Sequence, residues 1–102
     1  MISSNQKLNN ILITGASSGI GEALAYDYAK QGRFLALSGR NTKRLEAVAK
    51  ACRIFGAKVE TKLVDVTDRD ACQSWIAEVD TPHPLDLLIA NAGISSGSGK
   101  RR

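Results

Sequence analysis

The sequence predicts an α/β chain in which four parallel strands, in the order 3-2-1-4, are wound with three helices as half of a doubly wound sheet. Three observations carry this expectation. Short apolar runs alternate with segments whose apolar residues recur at helical spacing. The run Phe34-Leu35-Ala36-Leu37 is apolar without interruption, as a strand covered by helices on both faces must be. A glycine-rich turn, Gly15 to Gly21, joins the first apolar run directly to the first helical pattern.

Taken in order, the first strand is expected at Asn10 to Thr14 and the first helix at Ile20 to Gln31, with Gly32 as its stop. The second strand follows at Phe34 to Ser38. Asn41 or Thr42 can cap a second helix that runs to Phe55 and ends at Gly56. Lys58 to Val64 reads as the third strand, Thr67 as the cap of a third helix over Asp68 to Val79, and Leu85 to Ala90 as the fourth strand. Residues 1–94 then form one domain, and 95–102 a flexible basic Ser/Gly tail.

Composition excludes several classes of function. Of 102 residues, 43% are hydrophobic and 24% charged, ordinary for a globular chain, and no apolar run approaches the ~20 residues of a membrane span. The first seven residues lack the apolar stretch of a secretory leader, so a cytoplasmic address is expected. Three of the charges behind the net +4 are Lys100, Arg101 and Arg102, which reads as a solvated tail rather than a nucleic-acid patch. Cys52 keeps step with Leu45, Val48, Ala49 and Phe55, and Cys72 with Trp75, Ile76 and Val79. Both read as core thiols on helix stripes, without metal or redox spacing. His83, between Pro82 and Pro84, reads as an exposed loop imidazole.

The chemistry concentrates in the glycine-rich turn. Gly15 can make the sharp exit from a strand, Gly19 lacks the β-carbon that would hold a pyrophosphate off the main chain, and Gly21 lets the helix lie close to the strand. Unpaired N–H groups at the helix start attract an anion, and the hydroxyls of Ser17 and Ser18 add donors. Strand, glycine turn and helix in this order form the context of a dinucleotide phosphate site. The turn, Gly39 to Arg40, Asp65 and Asn91 to Gly93 all follow the carboxyl ends of strands, so one ligand can reach all of them.

Thr14-Gly15-Ala16-Ser17-Ser18-Gly19-Ile20-Gly21 resembles the Thr-Gly-x-x-x-Gly-x-Gly motif of the short-chain dehydrogenase/reductase family, whose glycine spacing differs from that of other dinucleotide folds. Leu63-Val64-Asp65-Val66 and Asn91-Ala92-Gly93 resemble later motifs of that family in the same order, so the likeness runs from about Asn9 to about Ile94. The resemblance implies a partial Rossmann fold with the ligand crevice between the first and fourth strands. It also implies that Asp65 accepts from the adenine amino group and that Val66 contributes its backbone N–H. Asn91 would tie neighbouring strands together, with Ala92 and Gly93 giving the cofactor ribose room. Ala90 stands where the family often has a second asparagine.

The end of the second strand decides which nicotinamide cofactor is expected. An acidic residue there would accept from the ribose 2′-hydroxyl and repel a 2′-phosphate. Ser38-Gly39-Arg40 has no carboxylate, and Arg40 can form a forked pair with a phosphate while Ser38 donates as well, so NADP(H) is expected over NAD(H).

The family's reaction, as the resemblance implies it, is hydride transfer between nicotinamide and a carbonyl or alcohol by a Tyr-x-x-x-Lys element and an upstream serine. The sequence ends before those segments. Tyr26-Asp27-Tyr28-Ala29-Lys30 matches the spacing, but Tyr26 lies ~9 Å down the first helix from Ile20, away from the strand ends. Gly97-Ser98-Gly99-Lys100 fails as a P-loop, because Ile94 and Arg101 occupy its required glycine and hydroxyl positions. The expected function is therefore the cofactor-binding portion of such an oxidoreductase, with small substrates met only in a longer parent. A non-catalytic dinucleotide-binding module or partner subunit is the alternative, and an unpaired Leu87-Leu88-Ile89 edge would favour self-association.

Overall fold

The computed structural model describes residues 8–17 and 19–91. Ser18, Ala92, Gly93 and the expected tail lie outside the described residues. The elements alternate as expected: β1 (Asn10–Thr14), α1 (Gly19–Tyr28), β2 (Phe34–Gly39), α2 (Thr42–Ile54), β3 (Lys58–Leu63), α3 (Arg69–Asp80) and β4 (Leu87–Ala90). The sheet order is β3-β2-β1-β4, and every pairing is parallel. Ile13 aligns with Leu37 on one side and Ile89 on the other, so the carboxyl ends of β1, β2 and β4 finish together.

Alternation along the strands sends successive side chains to opposite faces. Ile11, Ile13, Leu35 and Leu37 join Ala25 of α1 and Leu45, Val48 and Cys52 of α2 in one core layer. Leu12, Phe34, Ala36 and Val64 join Trp75 and Val79 of α3 in the other. The continuous apolar run at β2 thus has its predicted cause, since all six of its residues are buried between the two layers. Among the described residues no helix is long and apolar enough to cross a membrane.

The structure corrects several boundaries. α1 ends at Tyr28 rather than Gln31, because Arg33 reaches back to take the Tyr28 carbonyl through Nη1 at 2.9 Å and Gly32 turns the chain at φ 84°. Asn41 is the cap of α2, its Oδ1 accepting from the Arg44 N–H at 2.9 Å. Asp68, not Thr67, caps α3, accepting from the Ala71 N–H at 3.1 Å. Thr67 is drawn away by Asp65, to which its hydroxyl and N–H both donate. β3 stops at Leu63. β4 begins at Leu87, since Asp86 is occupied with the backbone N–H groups of Asn9 and Asn10.

Two side chains expected on particular surfaces lie elsewhere. Phe55 is 56% exposed, because it follows the last turn of α2 and has left the buried stripe on which Cys52 sits. His83 is not a free loop imidazole. It stacks on Phe34, ring centroids 3.9 Å apart and planes 13° from parallel, and so packs the carboxyl end of α3 against the start of β2. Cys52 is fully buried as expected, whereas Cys72 is partly buried against the α3 cluster.

Candidate cofactor site

The glycine turn is held by two interlocked contacts. Gly15 has φ 66°, a left-handed conformation, and a β-carbon there would lie 2.6 Å from the Asn91 carbonyl oxygen. A β-carbon on Gly21 would overlap the Gly15 carbonyl oxygen and approach Asn91 Nδ2 to 2.7 Å. The amide of Asn91 donates to the Gly15 carbonyl at 3.1 Å, and the hydroxyl of Thr14 donates to the Asn91 carbonyl at 3.2 Å. The first turn of α1, the end of β1 and the residue after β4 are therefore locked into one unit.

On the other side the turn is tied to β2. The Ala16 N–H donates to the Ser38 carbonyl at 2.7 Å. Ser17 is buried against Gly39, where a β-carbon would stand 2.6 Å from Ser17 Oγ, so a side chain at position 39 would displace the turn. Gly19 and Ile20, by contrast, are exposed, and among the described residues beyond its chain neighbours nothing lies within 4 Å of the place a Gly19 β-carbon would take. That open approach at the start of α1 is the space an anion needs.

Two clefts open beside this unit. One, of about 380 Å³, is lined by Ser17, Arg40, Asn41 and Arg44. The other, of about 330 Å³, is lined by Thr14, Val66, Arg69, Cys72, Gln73, Ile76 and Ala90. Between them Arg40 and Asp65 form a loose, solvent-exposed pair, Nη1 to Oδ1 3.8 Å, with side chains 71% and 49% exposed. The Thr67 hydroxyl and N–H hold the Asp65 carboxyl below its usual range, with a smaller attraction from Arg40, so Asp65 is an anion throughout the neutral range.

The structure therefore gathers Gly15, Ser17, Gly19, Ile20, Gly21, Arg40, Asp65, Val66 and Asn91 at the carboxyl end of the sheet. Ser38 is placed differently: it is fully buried, its hydroxyl has no partner among the described residues, and it does not line the cleft that Arg40 occupies. Ser18, Ala92 and Gly93 lie outside the described residues. Arg44 and Asn41 were missed by the sequence reading as lining residues. Their signal was present, since an Asn41 cap puts Arg44 in the first helical turn, at the same end as Arg40.

Tyr26 is rejected as a catalytic residue on electrostatic grounds as well as position. Its hydroxyl donates to Glu22 Oε2 at 2.8 Å, and that hydrogen bond, with desolvation and the Glu22 charge, raises its pKa above the ordinary value. A tyrosine that exchanges protons near neutrality needs the opposite shift.

A parallel sheet in order 3-2-1-4 with a glycine turn into α1 at the strand ends is a Rossmann-type dinucleotide-binding unit. The chain matches the short chain dehydrogenase family over residues 9–101, and it belongs to that family. It is 47% identical over 87 residues to 11-beta-hydroxysteroid dehydrogenase 1A of Arabidopsis thaliana, covering 83% of this chain and 25% of that protein. L-sorbose reductase from Gluconobacter frateurii, solved with NADPH and L-sorbose, superposes with a TM-score of 0.76 at 33% identity, over 89% of this chain and 36% of that one. A xylitol dehydrogenase solved with NAD+ superposes at 0.66 and 31% identity, over 74% of this chain and 30% of that one. The chain thus spans about a quarter to a third of the length of these relatives.

Proposed function

We propose that this chain is the NADP(H)-binding portion of a short-chain dehydrogenase/reductase that moves hydride between nicotinamide and a carbonyl or alcohol substrate. The supporting observation is the cleft beyond β2, whose lining side chains among the described residues, Ser17, Arg40, Asn41 and Arg44, include two cations and no carboxylate. A carboxylate there would favour a free ribose 2′-hydroxyl, and its replacement by guanidinium favours a 2′-phosphate. The L-sorbose reductase neighbour was solved with NADPH, which fits this reading, while the NAD+-bound neighbour shows that both cofactors occur on similar folds.

The residues present suit the cofactor in order along the crevice. Gly19 and Ile20 offer open backbone at the start of α1 for the pyrophosphate, with Ser17 and Ser18 as added donors. Arg40 takes the 2′-phosphate, Asp65 accepts from the adenine amino group beside the Val66 N–H, and Asn91 lies toward the ribose. Ser38 supports the end of β2 from beneath. Bound cofactor would supply the hydride carrier, and the proton-transferring tyrosine and lysine belong to segments of a longer parent.

Titration of the 102-residue chain with NADPH and with NADH, followed by nucleotide fluorescence, tests this reading. Tighter binding of NADPH, weakened toward the NADH level by Arg40→Ala, is expected. Equal affinity for both nucleotides would defeat the cofactor assignment. A second reading, a non-catalytic module that docks on another strand, is favoured by the edge of β4, which no described strand pairs and where Leu88 is 46% exposed.

A further inference from the structure

Resting on the NADP(H) reading above, we infer that Arg44 is a second phosphate-binding cation that shares with Arg40 the discrimination between 2′-phosphorylated and unphosphorylated cofactor. Both arginines line the same cleft with Ser17. Their circumstances differ. Arg40 lies 3.8 Å from the Asp65 carboxylate in a loose, exposed pair, the one ion pair among the described residues. Arg44 has no such commitment within the described residues, so its guanidinium is available without a competing anion.

The backbone under Arg44 is fixed. Its N–H donates to Asn41 Oδ1 at 2.9 Å, and the next N–H, of Leu45, donates to the Asn41 carbonyl at 2.9 Å while the Leu45 side chain is buried in the core. The side chain therefore starts from a held position at the rim of the cleft, with only its own rotamers to order on binding. Its setting is also unfavourable in the free chain. The first turn of α2 holds Lys43 and Arg44 and no acidic residue, which places cations at the positive end of a helix. A dianionic phosphate in the cleft relieves that repulsion, and a ribose hydroxyl does not. Arg40 and Arg44 thus make a two-cation clamp, one arm loosely paired with Asp65 and one without an ion pair among the described residues.

The test is a set of NADPH and NADH titrations of the 102-residue chain in the native form and as Arg40→Gln and Arg44→Gln variants. Arg44→Gln is expected to weaken NADPH binding by about tenfold or more while leaving NADH binding within about twofold of native. The unchanged NADH affinity shows that the variant is folded, and Arg44→Lys is expected to recover part of the loss. If Arg44→Gln keeps the native NADPH preference while Arg40→Gln loses it, the inference fails and the cofactor reading stands. If the native chain shows no preference for NADPH, or binds neither nucleotide, the cofactor reading fails and the inference with it.

Discussion

The Asn91 side-chain amide donates to the Gly15 carbonyl oxygen at 3.1 Å, so a residue after the last strand of the sheet holds the turn after the first. The contact is part-buried and geometrically tight, because a β-carbon on Gly15 would press on the Asn91 carbonyl at 2.6 Å. Asn91→Ala leaves the Gly15 carbonyl without its partner and is expected to cost about 1 to 2 kcal/mol of stability. Urea unfolding of the variant would show this as a lowered midpoint, with nucleotide binding weakened in parallel. An unchanged midpoint would mean that the turn holds its shape without Asn91.

The β4 edge makes a prediction about association. Leu88 faces the α3 side of the sheet in register with the fully buried Leu12, yet nearly half of it remains exposed, and no described strand pairs beyond it. Native chain is expected to self-associate at micromolar concentration in light scattering, and Leu88→Lys to shift it toward monomer. A native sample that stays monomeric throughout that range would remove this expectation.

Stability should fall in alkali through Cys52. Burial pushes its thiol from the ordinary 9.0 up to about 11, and its Sγ donates to the Ala25 carbonyl at 3.6 Å. The unfolded chain releases this proton first as pH rises, so the contribution is whole below pH 9.0 and is lost progressively between 9.0 and about 11. Urea midpoints measured across that window should decline. Cys52→Ala should flatten the decline but leave a smaller slope from Cys72, whose thiol burial and nearby Asp68 and Asp65 also raise. A decline of equal steepness in the variant would assign the effect to other groups.

Local rules carried most of the fold. The apolar run at Phe34 to Leu37, the Gly15 turn and the alternation of periods were each sufficient to name their element, because a strand buried on both faces has few other solutions. What failed was decided by competition between neighbours. Thr67 and Asp68 are both good caps, and the choice fell to Asp68 because Asp65 captures both donors of Thr67. His83 looked exposed because no local pattern announces a ring 49 residues away, yet Phe34 supplies its stacking surface. At the site, the resemblance gave Asn91 as a tie between strands but not its bond to the Gly15 carbonyl, and the burial of Ser38 and the cleft shared by Arg40 and Arg44 depend on how β2 and α2 meet.

The bond between Asn91 and Gly15 spans 76 positions of sequence. During synthesis the glycine turn leaves the ribosome long before its partner exists, and three crossovers must be in place before the two ends meet. A nascent chain short of residue 91 lacks the clasp that holds the glycine turn. If the chain binds nucleotide as proposed, that binding would favour chains completed through Asn91 and so act late in folding rather than as an early template.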